Sequence, residues 1–188
     1  MNMKTTHPAF TLVETMVAIS ILAIALVGPF TAVQNALTSS YVARDRLIAS
    51  TLAQEGLEYV RSVRDNNYLS SFSWLDGFVS AENNRDVCFG DEPTGYCIVD
   101  ATLGDFHAEP NAMRGYDATD IDEIPFIQLS ENGLYNHAEG NATRFKRTVQ
   151  IETLASSVHE VRVTVTVTWV TGLRTFSVVV VDNLHDWL

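Results

Sequence analysis

The residues of this 188-residue chain that could hold a metal are concentrated in one acidic segment. Four carboxylates fall within seven residues: Asp117, Asp120, Asp122 and Glu123. Hard cations such as Ca²⁺ prefer oxygen ligands spaced along a loop in this way. The segment lacks the glycine and the terminal glutamate of an EF-hand loop at the required positions. A solvated acidic loop is therefore the favoured interpretation, with a calcium site as the alternative.

Two cysteines, Cys88 and Cys97, enclose a stretch of turn-forming residues with an aromatic residue at each end. This composition predicts a hairpin whose arms bring the two sulfurs within bridging distance. The sequence has no CxxC motif and no further cysteine to complete a zinc site. We therefore predict a structural disulfide formed in an oxidising compartment, and two free buried thiols are the alternative.

Recognised catalytic motifs are absent from the sequence. It contains no GxSxG elbow, HExxH pair, phosphate-binding loop or dinucleotide fingerprint. The five histidines have no ligand-like spacing: His7, His107, His137, His159 and His185. We expect no enzyme activity and no cofactor, and the alternative is a membrane-tethered hydrolase.

The net charge of −11 argues against nucleic acid as a direct partner. Phosphate binding requires clustered lysine and arginine side chains. The one dense basic group is Arg144, Lys146 and Arg147, which we expect to lie on one face of a strand rather than to form a patch.

Charge is distributed very unevenly along the chain, because Lys4 and Glu14 are the only charged residues before Arg44. An apolar stretch of about 20 residues can cross a bilayer as a helix, and the run from Leu12 to Val33 meets this requirement apart from Glu14. Three interpretations compete for this run: a conventional secretory signal, a signal anchor and a prepilin.

Glu14 distinguishes these interpretations, because a carboxylate at bilayer depth costs on the order of 3 kcal/mol, less near the interface. A conventional signal carries positive charge before its apolar core. The next cation, Arg44, is 30 residues away, or about 45 Å along a helix. Glu14 must therefore be stabilised by the helix dipole, stay protonated, or find another cation. A cut after Ala9 would create an ammonium on Phe10, four residues earlier and on the same helical face.

The run Ala9-Phe10-Thr11-Leu12-Val13-Glu14 resembles the prepilin processing motif of type IV pilins and type II secretion pseudopilins. The resemblance implies that a prepilin peptidase cuts between Ala9 and Phe10 and that the new amine of Phe10 is methylated. It also implies that Glu14 pairs with the N-terminus of a neighbouring subunit during assembly. Most members have glycine where this chain has Ala9, and we expect this departure to slow processing rather than prevent it.

The same resemblance implies the partners and the location of the protein. The partners are other pilin or pseudopilin subunits, the prepilin peptidase, an inner-membrane assembly platform and membrane lipid. The precursor would cross the inner membrane once, with its head periplasmic or extracellular, and would then enter a pilus or pseudopilus. A minor subunit is favoured, because a large irregular insertion is awkward to repeat along a fibre. The alternative is a signal-anchored surface binding or adhesion module that is not assembled into a filament.

The sequence predicts an α+β, pilin-like organisation with a leader over 1–9, a helix over 10–65 and a head over 66–188. Gly28-Pro29 lies inside the helix, where we expect a kink because proline lacks an N–H and clashes with the preceding turn. Beyond Ala43 the helix is amphipathic, and its apolar stripe, which includes Tyr41, should pack on the head.

Within the head, we expect an irregular insertion over 66–144 and an antiparallel sheet of at least three strands over 145–182. Valine alternates with threonine before Trp169, which is typical of a strand with one buried face. The apolar run from Val178 to Val181 predicts a central position for the last strand.

Overall fold

The fold combines one long N-terminal helix with a C-terminal antiparallel sheet, which confirms the predicted α+β class. The computed structural model describes residues 10–78, 88, 95–103, 113–117, 124–154 and 157–186. The chain divides into two compact units, residues 1–44 and residues 45–188. The described elements are α1 (Leu12–Leu69), β1 (Gly95–Val99), β2 (Met113–Asp117), β3 (Gln128–Leu129), β4 (Tyr135–Asn136), β5 (Asn141–Ala142), β6 (Phe145–Leu154), β7 (Ser157–Thr171) and β8 (Arg174–His185).

Helix α1 ends at Leu69, four residues beyond the predicted end at Asp65. The buried side chain of Asn67 explains why the polar residues do not stop the helix earlier. Its amide donates to the backbone carbonyl of Asp76 at 2.8 Å, and its backbone carbonyl accepts from the N–H of Phe72 at 2.9 Å. These bonds fold the following turn back onto the last turn of the helix.

The second half of α1 packs on the sheet through a stripe with the i, i+3, i+4 spacing expected of an amphipathic helix. Its buried residues are Asp45, Ala49, Leu52, Ala53, Gly56, Leu57, Val60, Val63, Arg64 and Asn67. Small side chains in the middle of this stripe let the helix approach the sheet closely. Tyr41 was expected to belong to the stripe, but it is 57% exposed and lies in the other unit.

The main sheet has five strands in the order β2-β1-β6-β7-β8, and a second sheet has the order β4-β3-β5. The expectation that 66–144 is irregular is therefore wrong in part, because β1 and β2 extend the main sheet. These strands have only five residues each, too few to show a clear alternating pattern.

The β6, β7 and β8 meander matches the predicted strands closely. Val163, Val165 and Val167 on β7 are fully buried, whereas the two threonines between them lie on the other face. The β7–β8 hairpin closes around Gly172 and Leu173, and Gly172 has φ 63°. A positive φ at the first central residue alone is the type II′ turn, which favours glycine there and matches the strand twist.

The prediction that Val178 to Val181 belongs to a central strand is wrong, because β8 lies at the edge of the sheet. Val178 and Val180 are half-buried and pack against the core. Val179 and Val181 point away from the core and are 53% and 54% exposed. The strand is therefore apolar on both faces although only one of them is covered.

The basic group does not form one face, because consecutive strand residues point to opposite sides. Arg147 is fully buried between α1 and the sheet, whereas Lys146 lies on the opposite face with its ammonium 4.9 Å from the centre of the Phe126 ring. Arg144, just before β6, forms an ion pair at 3.0 Å with Asp45, which is 1% exposed. The three residues therefore make separate stabilising contacts in the head and do not form a basic patch.

Arg147 joins three elements through its guanidinium. Nη1 donates to the carbonyl of Leu52 at 3.0 Å and to the carboxylate of Glu55 at 2.7 Å, and Nη2 donates to the carbonyl of Val99 at 2.8 Å. Gly56 leaves room for this side chain, because a Cβ there would lie 3.1 Å from the Arg147 Cδ. The absence of a side chain at this point of α1 is thus part of the arginine site.

A second ion pair joins α1 to the edge strand. Both Nε and Nη2 of Arg61 donate to one carboxylate oxygen of Asp182, at 3.2 and 2.7 Å, and Arg61 also pairs with Glu58. The hydrogen bonds to Asp182 raise the pKa of Arg61, so the guanidinium stays charged. Because both partners are about one-third exposed, this pair contributes modestly to stability.

The predicted disulfide between Cys88 and Cys97 is formed, and both residues are fully buried. Cys97 pairs with Val149 on β6, and the carbonyl of Cys88 accepts from the N–H of Ile151 at 2.9 Å. The disulfide therefore holds two segments along the same strand. The predicted hairpin between the cysteines lies mostly outside the described residues.

Candidate processing and assembly site

The described residue of the predicted cleavage site, Phe10, lies just ahead of α1. Phe10 is 79% exposed and precedes the helix, whose first residue is Leu12. Ala9 lies outside the described residues. The expectation that Phe10 and Glu14 share a helical face therefore does not apply to the uncut chain, because Phe10 is not helical. Phe10, the residue on the C-terminal side of the predicted cut, is therefore exposed and outside the helix.

Thr11 caps the helix between the predicted cut and Glu14. Its hydroxyl accepts from the N–H of Glu14 at 3.3 Å, and its carbonyl accepts from the N–H of Thr15 at 3.2 Å. A threonine at the cap with a glutamate three residues later is the capping-box pattern. The sequence interpretation assigned no role to Thr11, although the spacing Thr-x-x-Glu was visible.

The cap places Glu14 in the first turn of α1, where the helix dipole favours negative charge. A cut before Phe10 would add an ammonium close to the same helix end. Two positive features, the dipole and the amine, would then stabilise one carboxylate. No bond to the Glu14 side chain is made within the described residues.

The segment after Glu14 is long and apolar enough to cross a membrane as a helix. In its most apolar stretch of 18 residues, no residue is buried. Large apolar residues in this segment are half to three-quarters exposed, among them Ile19, Ile24 and Phe30. The hydroxyls inside it bond to carbonyls of the same helix: Ser20 to Met16 at 2.8 Å, Thr31 to Gly28 at 2.9 Å and Thr38 to Gln34 at 3.0 Å. These three hydroxyls therefore have their hydrogen bonds satisfied within the helix, as an apolar environment requires.

Helix α1 continues through Gly28-Pro29. Pro29 has no N–H for the carbonyl of Ala25, so one helical hydrogen bond is missing there. A Cβ added to Gly28 would meet no atom within 4 Å, so packing inside the chain does not require this glycine. A kink at this point stays a prediction.

The acidic segment remains a prediction as a calcium site. Asp117 ends β2, and Asp120, Asp122 and Glu123 lie outside the described residues. Within the part of the chain that the structure describes, no group of three or more histidine, cysteine, aspartate or glutamate side chains could hold a metal ion.

Comparison with known families identifies the N-terminal region. Residues 7–28 match the family model described as the prokaryotic N-terminal methylation motif. Comparisons with curated proteins and with solved structures gave no match. The matched residues include the predicted cut, the Thr11 cap, Glu14 and the first half of the apolar segment. The N-terminal region of this protein therefore carries the prepilin signature of type IV pilins and pseudopilins.

Proposed function

We propose that this protein is a structural subunit of a type IV pilus or a related type II secretion filament. Prepilin peptidase cuts between Ala9 and Phe10, and the new amine of Phe10 is methylated. The observation that carries this proposal is a coincidence of three features at one place. The methylation motif, a capped helix start and an unburied apolar helix all occupy residues 7–28.

The apolar half of α1 needs an apolar environment, because its side chains are exposed in the isolated chain. Before assembly the lipid of the inner membrane supplies this environment, with the helix crossing once. In the filament, the corresponding helices of other subunits supply it. Glu14 then pairs with the N-terminal amine of a neighbour, which fixes the register between helices because an unpaired carboxylate is costly in such surroundings.

The head would lie on the periplasmic or extracellular side of the membrane. A buried disulfide supports this location, because disulfides persist in oxidising compartments and are rare in the cytosol. The region between α1 and β6 contains five of the eight described strands, including the separate β3–β5 sheet. Such a large insertion supports a minor subunit rather than the major one.

Replacement of Glu14 by alanine, in cells that contain the peptidase and the assembly platform, tests this proposal. We expect the variant to be cut normally but to enter sheared filaments at least about tenfold less, because its helix cannot pair with a neighbour's amine. Glu58→Ala is the matched control, since it removes an exposed carboxylate from the same helix outside the apolar segment. Normal incorporation of Glu14→Ala would contradict the assembly role, and an uncut wild-type chain would favour the signal-anchored alternative.

A further inference from the structure

One segment of the head fits the acceptor motif for asparagine-linked glycosylation, Asn141-Ala142-Thr143. The motif is Asn-x-Ser/Thr with any residue except proline in the middle. None of the other asparagines in the sequence has serine or threonine two residues later. Glu139, two residues before Asn141, also gives the segment the longer acidic form of the motif, Asp/Glu-x-Asn-x-Ser/Thr. The structural setting of these residues decides whether the motif can be used.

The side chain that would carry the glycan lies on the surface of the head. Asn141 begins β5, which in the described residues pairs with β3 alone and so lies at one edge of the three-stranded sheet. Asn141 is exposed, and its side-chain amide makes no hydrogen bond within the described ranges. Its neighbours, Gly140 and Ala142, are also exposed and are the two smallest residue types. The folded head therefore has room for a bulky group at this position.

The threonine of the motif, in contrast, is engaged in the fold. The Thr143 hydroxyl donates to the carbonyl of Ile127 at 2.7 Å and accepts from the N–H of Phe145 at 3.2 Å. Because the motif requires a hydroxyl at this position, its recognition needs a Thr143 that has not yet made these bonds. Glycan transfer must therefore precede the folding of this segment, and the exposed position of Asn141 lets the modified chain fold afterwards.

The location of the head is compatible with this modification. N-linked glycans are found on surface segments of exported proteins. The buried disulfide between Cys88 and Cys97 supports export of the head, because disulfides persist in oxidising compartments. The inference therefore rests on the periplasmic or extracellular location given under the proposed function, but it does not depend on filament assembly.

We propose that Asn141 carries an N-linked oligosaccharide, which is transferred from a polyprenyl pyrophosphate donor before the head folds. The amide nitrogen of Asn141 forms a bond to the anomeric carbon of the first sugar, and the bond between that carbon and the pyrophosphate oxygen breaks. The polyprenyl pyrophosphate leaves, and a base of the transferase accepts the amide proton. The oligosaccharide is bulky and hydrophilic, so it increases the solubility of this face of the head.

Mass spectrometry of the protein from membranes of the cells that naturally produce it tests this proposal. Trypsin cleaves after arginine and lysine and therefore releases residues 115–144 as one peptide. We expect this peptide to be heavier than its sequence by the mass of an oligosaccharide, and we expect fragmentation to place the added mass on Asn141.

Four variants of the full chain, produced in the same cells, separate the motif from its surroundings. Asn141→Gln and Thr143→Val should lose the added mass completely, whereas Thr143→Ser should retain it. Asn132→Gln is the matched control, because it changes another exposed asparagine of the same peptide that lacks the motif, and it should also retain the added mass. Asn141→Gln changes an exposed side chain, so its result does not depend on an altered fold.

Two results would overturn the proposal. One is a wild-type peptide with the mass of its sequence, and the other is an added mass that survives in Asn141→Gln or Thr143→Val. The same digest reports the Cys88–Cys97 disulfide and the N-terminus of the chain. An unmodified Asn141 beside an intact disulfide and a methylated Phe10 would refute glycosylation but not the proposed function, whereas an uncut N-terminus would count against the proposed function alone.

Discussion

Replacement of Arg147 by methionine removes the guanidinium that joins α1 to β1 and β6 but keeps most of its volume. The loss of the guanidinium affects the three groups that accept its hydrogen bonds differently. Leu52 lies within α1, so its carbonyl retains the helical bond from Gly56. Glu55 is 38% exposed and can be hydrated after the ion pair is lost. The carbonyl of Val99, which ends a buried strand, loses the bond that Arg147 gives it.

The expected cost of Arg147→Met is therefore set mainly by one buried carbonyl, at about 1–3 kcal/mol. Loss of the ion pair with the partly exposed Glu55 adds at most about 1 kcal/mol to this cost. Burial of the methionine thioether offsets part of the loss. We expect a net loss of about 2 kcal/mol, which lowers the melting temperature by about 4–8 °C for a domain of this size. Glu55→Gln keeps an acceptor beside the guanidinium and should cost less than about 1 kcal/mol.

Chemical denaturation of the full chain in detergent micelles, followed by the fluorescence of the buried Trp169, measures both variants. A stable or stabilised Arg147→Met protein would refute the reasoning, because desolvation of the guanidinium would then outweigh its bonds. An equal loss in Glu55→Gln would show that the ion pair, and not the carbonyl of Val99, carries the energy.

Three other changes test separate parts of the structure. Joint replacement of Cys88 and Cys97 by serine should cost about 2–3 kcal/mol in denaturant unfolding, since the disulfide closes a short loop; a loss below about 1 kcal/mol would show that the surrounding core holds both segments unaided. Thr11→Ala should destabilise the first turn of α1 by about 1 kcal/mol and speed hydrogen exchange of the Glu14 amide, whereas Thr11→Ser should not; equal exchange in both variants would contradict the cap. Gly172→Ala should cost about 1 kcal/mol in thermal unfolding and Gly172→Asn about half of that, because asparagine tolerates a positive φ better; identical melting temperatures would argue against the type II′ turn.

The parts of the fold that the sequence predicts are those with long and regular patterns. The charge-free run and the valine–threonine alternation of β7 each depend on local chemistry alone, and the structure confirms the helix and the strand that they predict. The disulfide is predictable in the same way, because the spacing of the two cysteines and the turn residues between them indicate it.

The parts that the sequence does not predict depend on long-range pairing. β1 has five residues, and its place beside β6 is set by the Cys97–Val149 pair and the disulfide rather than by its own pattern. The edge position of β8 follows from the order of strands, which the apolar run Val178–Val181 does not encode. Arg147 falls on the inward side of an alternating strand, but its partners on α1 and β1 are 95 and 48 residues away in the chain.

The N-terminal site shows the same division. The motif predicts the cut and the importance of Glu14, and the spacing Thr-x-x-Glu could have predicted the cap by Thr11, whereas the non-helical position of Phe10 emerges only with the helix start in place. The partner of Glu14 lies outside the chain by hypothesis, so neither the sequence nor the structure of one subunit contains it.

The intact mass of the protein extracted from the membranes of cells that contain the peptidase tests the central claim most directly. We predict a mature chain that begins at Phe10, has lost residues 1–9 and is about 14 Da heavier from one methyl group on its N-terminal amine. A full-length chain, or a chain that begins beyond Val33, would contradict the account.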